Sequence, residues 1–303
     1  MEQNTDLARL PPRVLEAEAH APELAAVRQQ ARAQRDAAVR GVTSVAAMRA
    51  AIQQATSTLP LISSVPRYRN LDAAEFRALA AQGQPFLLTE PVTRWPLARM
   101  DAAVLRQQYA GMPVRARVGD YINTAFAPDR AMQDMTMGAY LDLIAAGDYS
   151  LPPYLGNLEL RELNRLCHWP TYFDKMGPPR FWIGPAGTIT PLHADYDDNI
   201  FAQIWGSKRI MLAPPHHEPY LYVKPANEIL IGSPVDAEAP DYQRYPLAQQ
   251  ASLIECVVEA GQLLYIPAGW YHQVHALAFS LSANRWARAM PLVLSHDDHG
   301  VRA

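Results

Sequence analysis

The chain has 303 residues, 49% of them hydrophobic and 19% charged, with a formal net charge of −3. That profile fits a globular protein with a substantial core, in one large domain or two smaller ones, and the near-neutral balance points away from a nucleic-acid or membrane surface. No apolar run approaches the roughly 18 residues of a membrane span, and MEQNTDLARLPPRVLEAEAH is acidic where a secretory signal would be basic and then apolar. Cys167 and Cys256 suggest no disulfide framework, so a reducing cytoplasm is expected. Of the 27 basic residues only Lys175, Lys208 and Lys224 are lysines, which makes each of the three a place to look for an ammonium's special use.

From about Pro12 to Thr56 the chain is rich in Ala, Arg, Gln and Glu. Leu24, Val27 and Ala31 recur at helical spacing, predicting one or two helices. Pro60 and Pro66 break that pattern. LDAAEFRALAAQGQ reads as a short helix with Gly83 near its end, and PFLLTEPV as a short buried strand. MDAAVLRQQYAG reads as a helix stopped at Gly111, MPVRARVG alternates like a strand, and MTMGAYLDLIAAG reads as a further helix. From about Tyr149 to Trp286 short apolar runs are punctuated by Gly and Pro: RFWIGPAG, NIFAQIWGS, KRIMLAPP, SLIECVVEAG, QLLYIPAG and FSLSANRW. That spacing predicts a barrel or sandwich of short antiparallel strands. The long insert from Lys224 to Gln250 is of a kind that often shapes a substrate site or lid. The tail SHDDHGVRA is polar and expected to fray.

His193-Ala-Asp195 carries the chemistry. Two residues apart on a strand or its end, both side chains point to one face. His272, after LLYIPAGWY, can close the set from a neighbouring strand. Two imidazoles and one carboxylate with other positions open suit non-haem Fe(II). A second His-x-Asp, His296 to Asp298, stands in the polar tail with no strand around it and is not favoured. His216, His217 and His275 read as surface or supporting residues, and Cys256 as a buried strand residue.

With TPLHADYDDNIFAQIWGSKRIMLAPP, LLYIPAGWYHQV and SLSANRW in order, the chain resembles the cupin-like JmjC oxygenases, over about 150–290 strongly and about 58–150 more weakly. Within them the pattern is closest to the asparaginyl hydroxylase that inhibits hypoxia-inducible factor. The resemblance implies a mainly β fold with flanking helices around a double-stranded β-helix (jelly-roll, cupin) core. It divides the chain into an N-terminal helical segment, 1–57, an oxygenase domain, 58–290, and a tail, 291–303. It implies Fe(II) held by His193, Asp195 and His272, with 2-oxoglutarate as co-substrate and O2 at the remaining position. By the same resemblance Lys208 meets the far carboxylate of 2-oxoglutarate, helped by Thr190 and Tyr154. Asn199 and Asn284 lie near metal and co-substrate, and Trp286 lines the pocket.

Physical chemistry agrees. A dicarboxylate needs a cation and neutral donors at the end remote from the metal, and such charge-assisted bonds contribute roughly 1.5–3 kcal/mol each. The expected activity is hydroxylation of a C–H bond on a protein or peptide side chain. A small-molecule or free amino-acid hydroxylase is the first alternative, a non-oxygenase metal-binding cupin the second, and lysine demethylation less attractive. Little chain follows Ala289, which puts in doubt a dimer built on C-terminal helices as in the asparaginyl hydroxylase. The N-terminal helices allow either packing on the barrel or pairing into a homodimer.

Overall fold

The structure, a computed structural model, describes residues 45–127, 130–173, 175–225 and 231–287. Of the N-terminal helical segment, Val45–Thr56 is therefore described as a helix, while Leu24, Val27, Ala31 and the tail lie outside the described residues.

Two sheets form the body. The core strands are β6 (Arg180–Gly184), β7 (Ile189–Ala194), β8 (Asp198–Trp205), β9 (Ser207–Ala213), β12 (Ile254–Glu259), β13 (Leu263–Ile266), β14 (Tyr271–Ala276) and β15 (Ser280–Ala287). Among the described residues, the larger sheet contains the order β13-β8-β15-β6 and the smaller one β7-β14-β9-β12. Apart from the step from β9 to β12, successive core strands alternate between the sheets, so the chain winds as a double-stranded β-helix.

The larger sheet is extended on one side by β2 (Phe86–Leu88) and β1 (Arg67–Tyr68), and on the other by β5 (Tyr154–Leu158), β3 (Pro113–Arg117) and β4 (Met132–Thr136). Of these, β1 and β4 escape the sequence reading. β1 has two residues, and β4 (MQDMT) is exposed or half-buried throughout, so neither shows a hydrophobic alternation.

Period-2 alternation sorts the side chains into three layers. Ile200, Ala202, Leu263, Tyr265, Leu281 and Ala283 face outward from the larger sheet, under Phe76, Leu105 and Tyr140 of the helices Ala73–Ala80, Ala102–Tyr109 and Met137–Ala146. Each helix starts on a side-chain cap, Asp72, Asp101 or Thr136, the first with a complete capping box to Glu75. Phe201, Ile210, Leu212, Cys256, Val258, Leu264 and Val274 fill the space between the sheets. Strand β8, covered on both faces, is buried along its whole length.

The outer face of the smaller sheet carries the third layer, where Leu192, Ala194, Met211, Ala213 and Tyr271 meet Met48 and Ile52 of the helix Val45–Thr56. That helix is pinned electrostatically as well: the Arg49 guanidinium pairs with Glu218, which also accepts the Tyr271 hydroxyl at 2.6 Å. Ile52 sits over Gly269, whose φ is +84° and whose missing Cβ would lie 2.8 Å from the Ile52 side chain.

The insert from about Lys224 to Gln250 lies partly outside the described residues, and its described part joins the smaller sheet. It begins in β10 (Lys224–Pro225) and β11 (Ile231–Gly232), which extend the smaller sheet. Beyond Gly232 it folds over the outer face. The Gln273 side chain accepts Ala237 N–H at 2.9 Å and donates to Asp236 at 2.7 Å, and Glu238 takes both Arg209 and His275. Arg209, Gln273 and His275 share strand parity with Met211 and Tyr271, so these polar outward side chains draw the insert to the face opposite the metal ligands.

Gly206 turns β8 into β9 at φ +65°, and a Cβ there would meet the Phe279 carbonyl oxygen at 2.3 Å. Gly206→Ala is expected to cost about 1–3 kcal/mol, from the left-handed backbone and a backbone clash, read as a lower urea midpoint with unchanged slope.

Candidate metal centre

Strands β7 and β14 are paired so that His193 stands opposite His272, and the two rings lie 4.2 Å apart centre to centre. Asp195 follows directly on β7. Its carbonyl accepts Gly269 N–H at 2.7 Å, which ties the loop bearing the carboxylate to the turn leading into β14. Asp198 accepts Ala268 N–H at 2.8 Å and fastens the same turn to β8. One candidate ligand atom from each of His193, Asp195 and His272 falls within 4.8 Å of the others.

The hydrogen bonds behind these groups fix which atom faces the centre. Nδ1 of His193 lies 2.8 Å from the Pro191 carbonyl, and Nδ1 of His272 lies 3.1 Å from the Trp270 carbonyl. A carbonyl only accepts, so each Nδ1 carries the proton and each Nε2 keeps its lone pair. Burial, helped by the neighbouring His272, pushes the His193 imidazole down to about 4, so it stays neutral as a metal ligand must. Arg117 adds to that lowering, so its charge reaches this ligand. The Asp195 carboxylate accepts the Trp286 indole N–H at 2.8 Å and the Asn199 amide at 3.4 Å. Two bare imidazole nitrogens and an oriented carboxylate form a facial triad that fits Fe(II).

A cavity opens from the triad into the space between the sheets. Its lining includes all six further residues singled out in the sequence: Tyr154, Thr190, Asn199, Lys208, Asn284 and Trp286. Lys208 is 1% exposed, donates to Ser282 Oγ at 2.8 Å and to the Tyr154 hydroxyl at 3.4 Å, and makes no ion pair among the described residues. Burial pushes its ammonium down to about 7 and the Tyr154 phenol up to about 12; a hydrogen bond with Thr190 partly offsets the latter. Asn284 donates to Asn199 at 2.8 Å, so a chain of amides runs to Asp195, and the Asn284 carbonyl oxygen stays buried without a partner.

Thr190 and His193 both line the cavity although their spacing is odd. Pairing shifts between Val274 opposite Thr190 and His272 opposite His193, so β7 carries one residue more than β14 across that stretch. This bulge contains Pro191, which has no N–H to lose, and it turns both functional side chains inward.

Sequence reasoning missed Ser282, Trp182 and Phe126. Ser282 was legible, because Ser282, Asn284 and Trp286 alternate along β15. Trp182 lines the cavity, and the Phe126 ring lies tilted beside His193, 5.4 Å away centre to centre. Phe126 fills the space left by Gly232, where a Cβ would come within 2.7 Å of the ring. His217 accepts Ser252 N–H and His275 pairs with Glu238; neither joins a metal-competent cluster among the described residues. His296 lies outside the described residues. Cys167 and Cys256 are buried, and neither forms a disulfide among the described residues.

Asp195→Ala should abolish tight Fe(II) or Mn(II) binding, because two neutral ligands remain. Trp286→Phe, which removes only the N–H orienting that carboxylate, should weaken metal affinity about 10–100-fold. His296→Ala should leave it unchanged. Calorimetric titration of the metal-free protein measures all three.

Comparison with known proteins places these residues in a family. Residues 72–291 match the cupin-like domain. The chain is 36% identical over 141 residues to a lysine-specific demethylase (JMJ30) of Arabidopsis thaliana, covering 46% of this chain and 29% of that protein. It is 41% identical over 105 residues to lysine-specific demethylase 8 of Xenopus tropicalis, covering 35% of this chain and 24% of that protein. It is 32% identical over 160 residues to the human bifunctional peptidase and (3S)-lysyl hydroxylase JMJD7, covering 45% of this chain and 48% of that protein. The chain thus spans from about a quarter to about half of the length of these relatives. With the match running over more than half of its length and a facial triad inside it, the chain belongs to the cupin-like domain family.

Proposed function

We propose that the chain is an Fe(II)- and 2-oxoglutarate-dependent hydroxylase that acts on a C–H bond, with a protein or peptide side chain as the preferred substrate class. The observation that carries this is Lys208. An ammonium buried to 1% exposure, with only hydroxyls around it, shares a cavity with a facial triad. Such a charge is costly until an anion arrives. A dicarboxylate that chelates a metal at one end answers that need at the other.

Bound at the triad, Fe(II) with 2-oxoglutarate would supply the O2 activation that side chains cannot. His193, Asp195 and His272 would hold the metal. Lys208 would pair with the far carboxylate, and Ser282, Thr190 and Tyr154 would supply neutral hydrogen bonds around it. Phe201 and Val274, also in the lining, keep water out. Trp286 and Asn199 hold the Asp195 carboxylate in its orientation.

Support for a protein side chain comes from relatives whose names specify lysine demethylation or lysyl hydroxylation, and from the pattern shared with the asparaginyl hydroxylase. Cys167 and Cys256, without a disulfide among the described residues, fit a reducing, cytoplasmic setting, and no described helix is long and apolar enough to cross a membrane.

Anaerobic addition of Fe(II) and then 2-oxoglutarate should give a weak, saturable visible charge-transfer band that Asp195→Ala removes. Bound iron without the band would favour a metal-binding cupin that is not an oxygenase. The same band reads the titration of Lys208. Its free ammonium is held down to about 7, and a bound carboxylate raises it again. Affinity should therefore be flat below about pH 7 and fall by up to about tenfold per unit above it, until the raised value of the bound state is reached. Lys208→Met should bind 2-oxoglutarate more weakly and without that pH dependence.

A further inference from the structure

Arg117, the last residue of β3, is 5% exposed, and no ion pair neutralises it among the described residues. It stands opposite Tyr154 in the sheet. Its guanidinium lies 5.2 Å from the Trp182 ring centre and 5.9 Å from that of Tyr154, and both rings line the metal cavity. Gly156 leaves it room, since a Cβ there would fall 3.0 Å from the guanidinium. Arg117 Nε is buried without a hydrogen-bond partner. A second cation, Arg130, is near enough to make it less favourable for Arg117 to keep its proton, and Arg130 Nε is likewise buried and unpaired. In the cavity wall the Trp182 indole N–H also lacks a partner.

Two like charges, one almost fully buried, with spare donors and no acid paired with either among the described residues, form a site suited to an anion. The planar fork of arginine matches a carboxylate. The far carboxylate of 2-oxoglutarate is already accounted for by Lys208 with Ser282 and Tyr154. Arg117 and Lys208 both lie near the Tyr154 ring, at 5.9 and 5.7 Å from its centre, but no described hydrogen bond joins Arg117 to Ser282 or to the Tyr154 hydroxyl, the two partners of Lys208. A lysine-bearing peptide would add a third positive charge to the pair.

We infer that Arg117 and Arg130 form an anion subsite at the edge of the metal cavity, and that the substrate oxidised there carries a carboxylate, on an acidic peptide residue or on a free carboxylic acid. This rests on the oxygenase reading above.

The test uses the full chain loaded with Mn(II) and N-oxalylglycine, so that no turnover occurs. Calorimetry follows two heptapeptides that differ only in a central Glu or Lys, together with free glutarate and inorganic phosphate. The expected result is saturable binding of a carboxylate probe, absent for the lysine peptide. Binding should weaken at least tenfold in Arg117→Gln and in Arg130→Gln and recover in Arg117→Lys, while the 2-oxoglutarate band titration stays within twofold of wild type. Arg130, half-buried, keeps the test open if Arg117→Gln does not fold. Preference for the Glu peptide assigns the source to a peptide, and preference for glutarate to a free acid. Binding of phosphate but not of carboxylates overturns the carboxylate assignment. Failure of every anionic probe on the wild type, equal binding in the variants, or preference for lysine overturns the subsite. A 2-oxoglutarate affinity that falls with Arg117 as it does with Lys208 assigns both cations to the co-substrate and overturns it too. Loss of the band in the wild type would instead sink the oxygenase reading.

Discussion

The register between β7 and β14 is the constraint on which the rest of the site depends. It sets His193 against His272 across two strands, and a neighbouring bulge brings Thr190 to the same side. A one-residue slip would send the imidazoles to the outer face, among Leu192, Ala194 and Tyr271. Pairing alone does not place the third ligand, because Asp195 lies beyond the strand. Two backbone clips supply the missing restraint, Gly269 to Asp195 and Ala268 to Asp198. The metal centre is therefore set chiefly by main-chain geometry, and its carboxylate is aimed by Trp286 from a third strand.

The cavity behind the centre keeps cations where most cores keep aliphatic groups. Lys208 and Arg117 are both nearly inaccessible, and neither is paired with an acid among the described residues. Natural cores rarely hold such charges unless something binds to them. The hydroxyls of Ser282 and Tyr154 soften the cost at Lys208 without neutralising it. At Arg117 the aromatic faces of Trp182 and Tyr154 do the same. Two nearly inaccessible cations thus lie in or beside the cavity wall although the whole chain carries a net charge of −3, so composition gives no hint of them.

Much of the site could be read before any coordinates. His193 and Asp195 share a face by period two, His272 follows a Gly-containing turn, and Lys208 stands out in a chain with three lysines. These are local signals, or rare residue types. The parts that stayed hidden depend on distant chain. Arg117 lies in PVRAR, an alternation that any edge strand could show, and becomes distinctive only when β5 brings Tyr154 and Gly156 beside it. Phe126 sits in a loop with no periodicity and matters through Gly232, more than a hundred residues on. Where the described part of the insert packs also stayed hidden, because its length and polarity suit either face of a sheet equally well. Only the outward parity of Gln273 and Arg209 decides between them.

The helix Val45–Thr56 bears on how the protein can be trimmed. The cupin-like match begins at residue 72, and a cut made there would look conservative. It would remove Ile52 from its seat on Gly269, the residue whose N–H holds Asp195, and would strip Arg49 from the carboxylate that receives the Tyr271 hydroxyl next to His272. The turn that clips Asp195, and the stretch of β14 beside His272, would then lose the helix packed behind them. In crystallographic or engineering work, a portion meant to keep the metal pocket stiff should include Val45–Thr56, ahead of the family boundary.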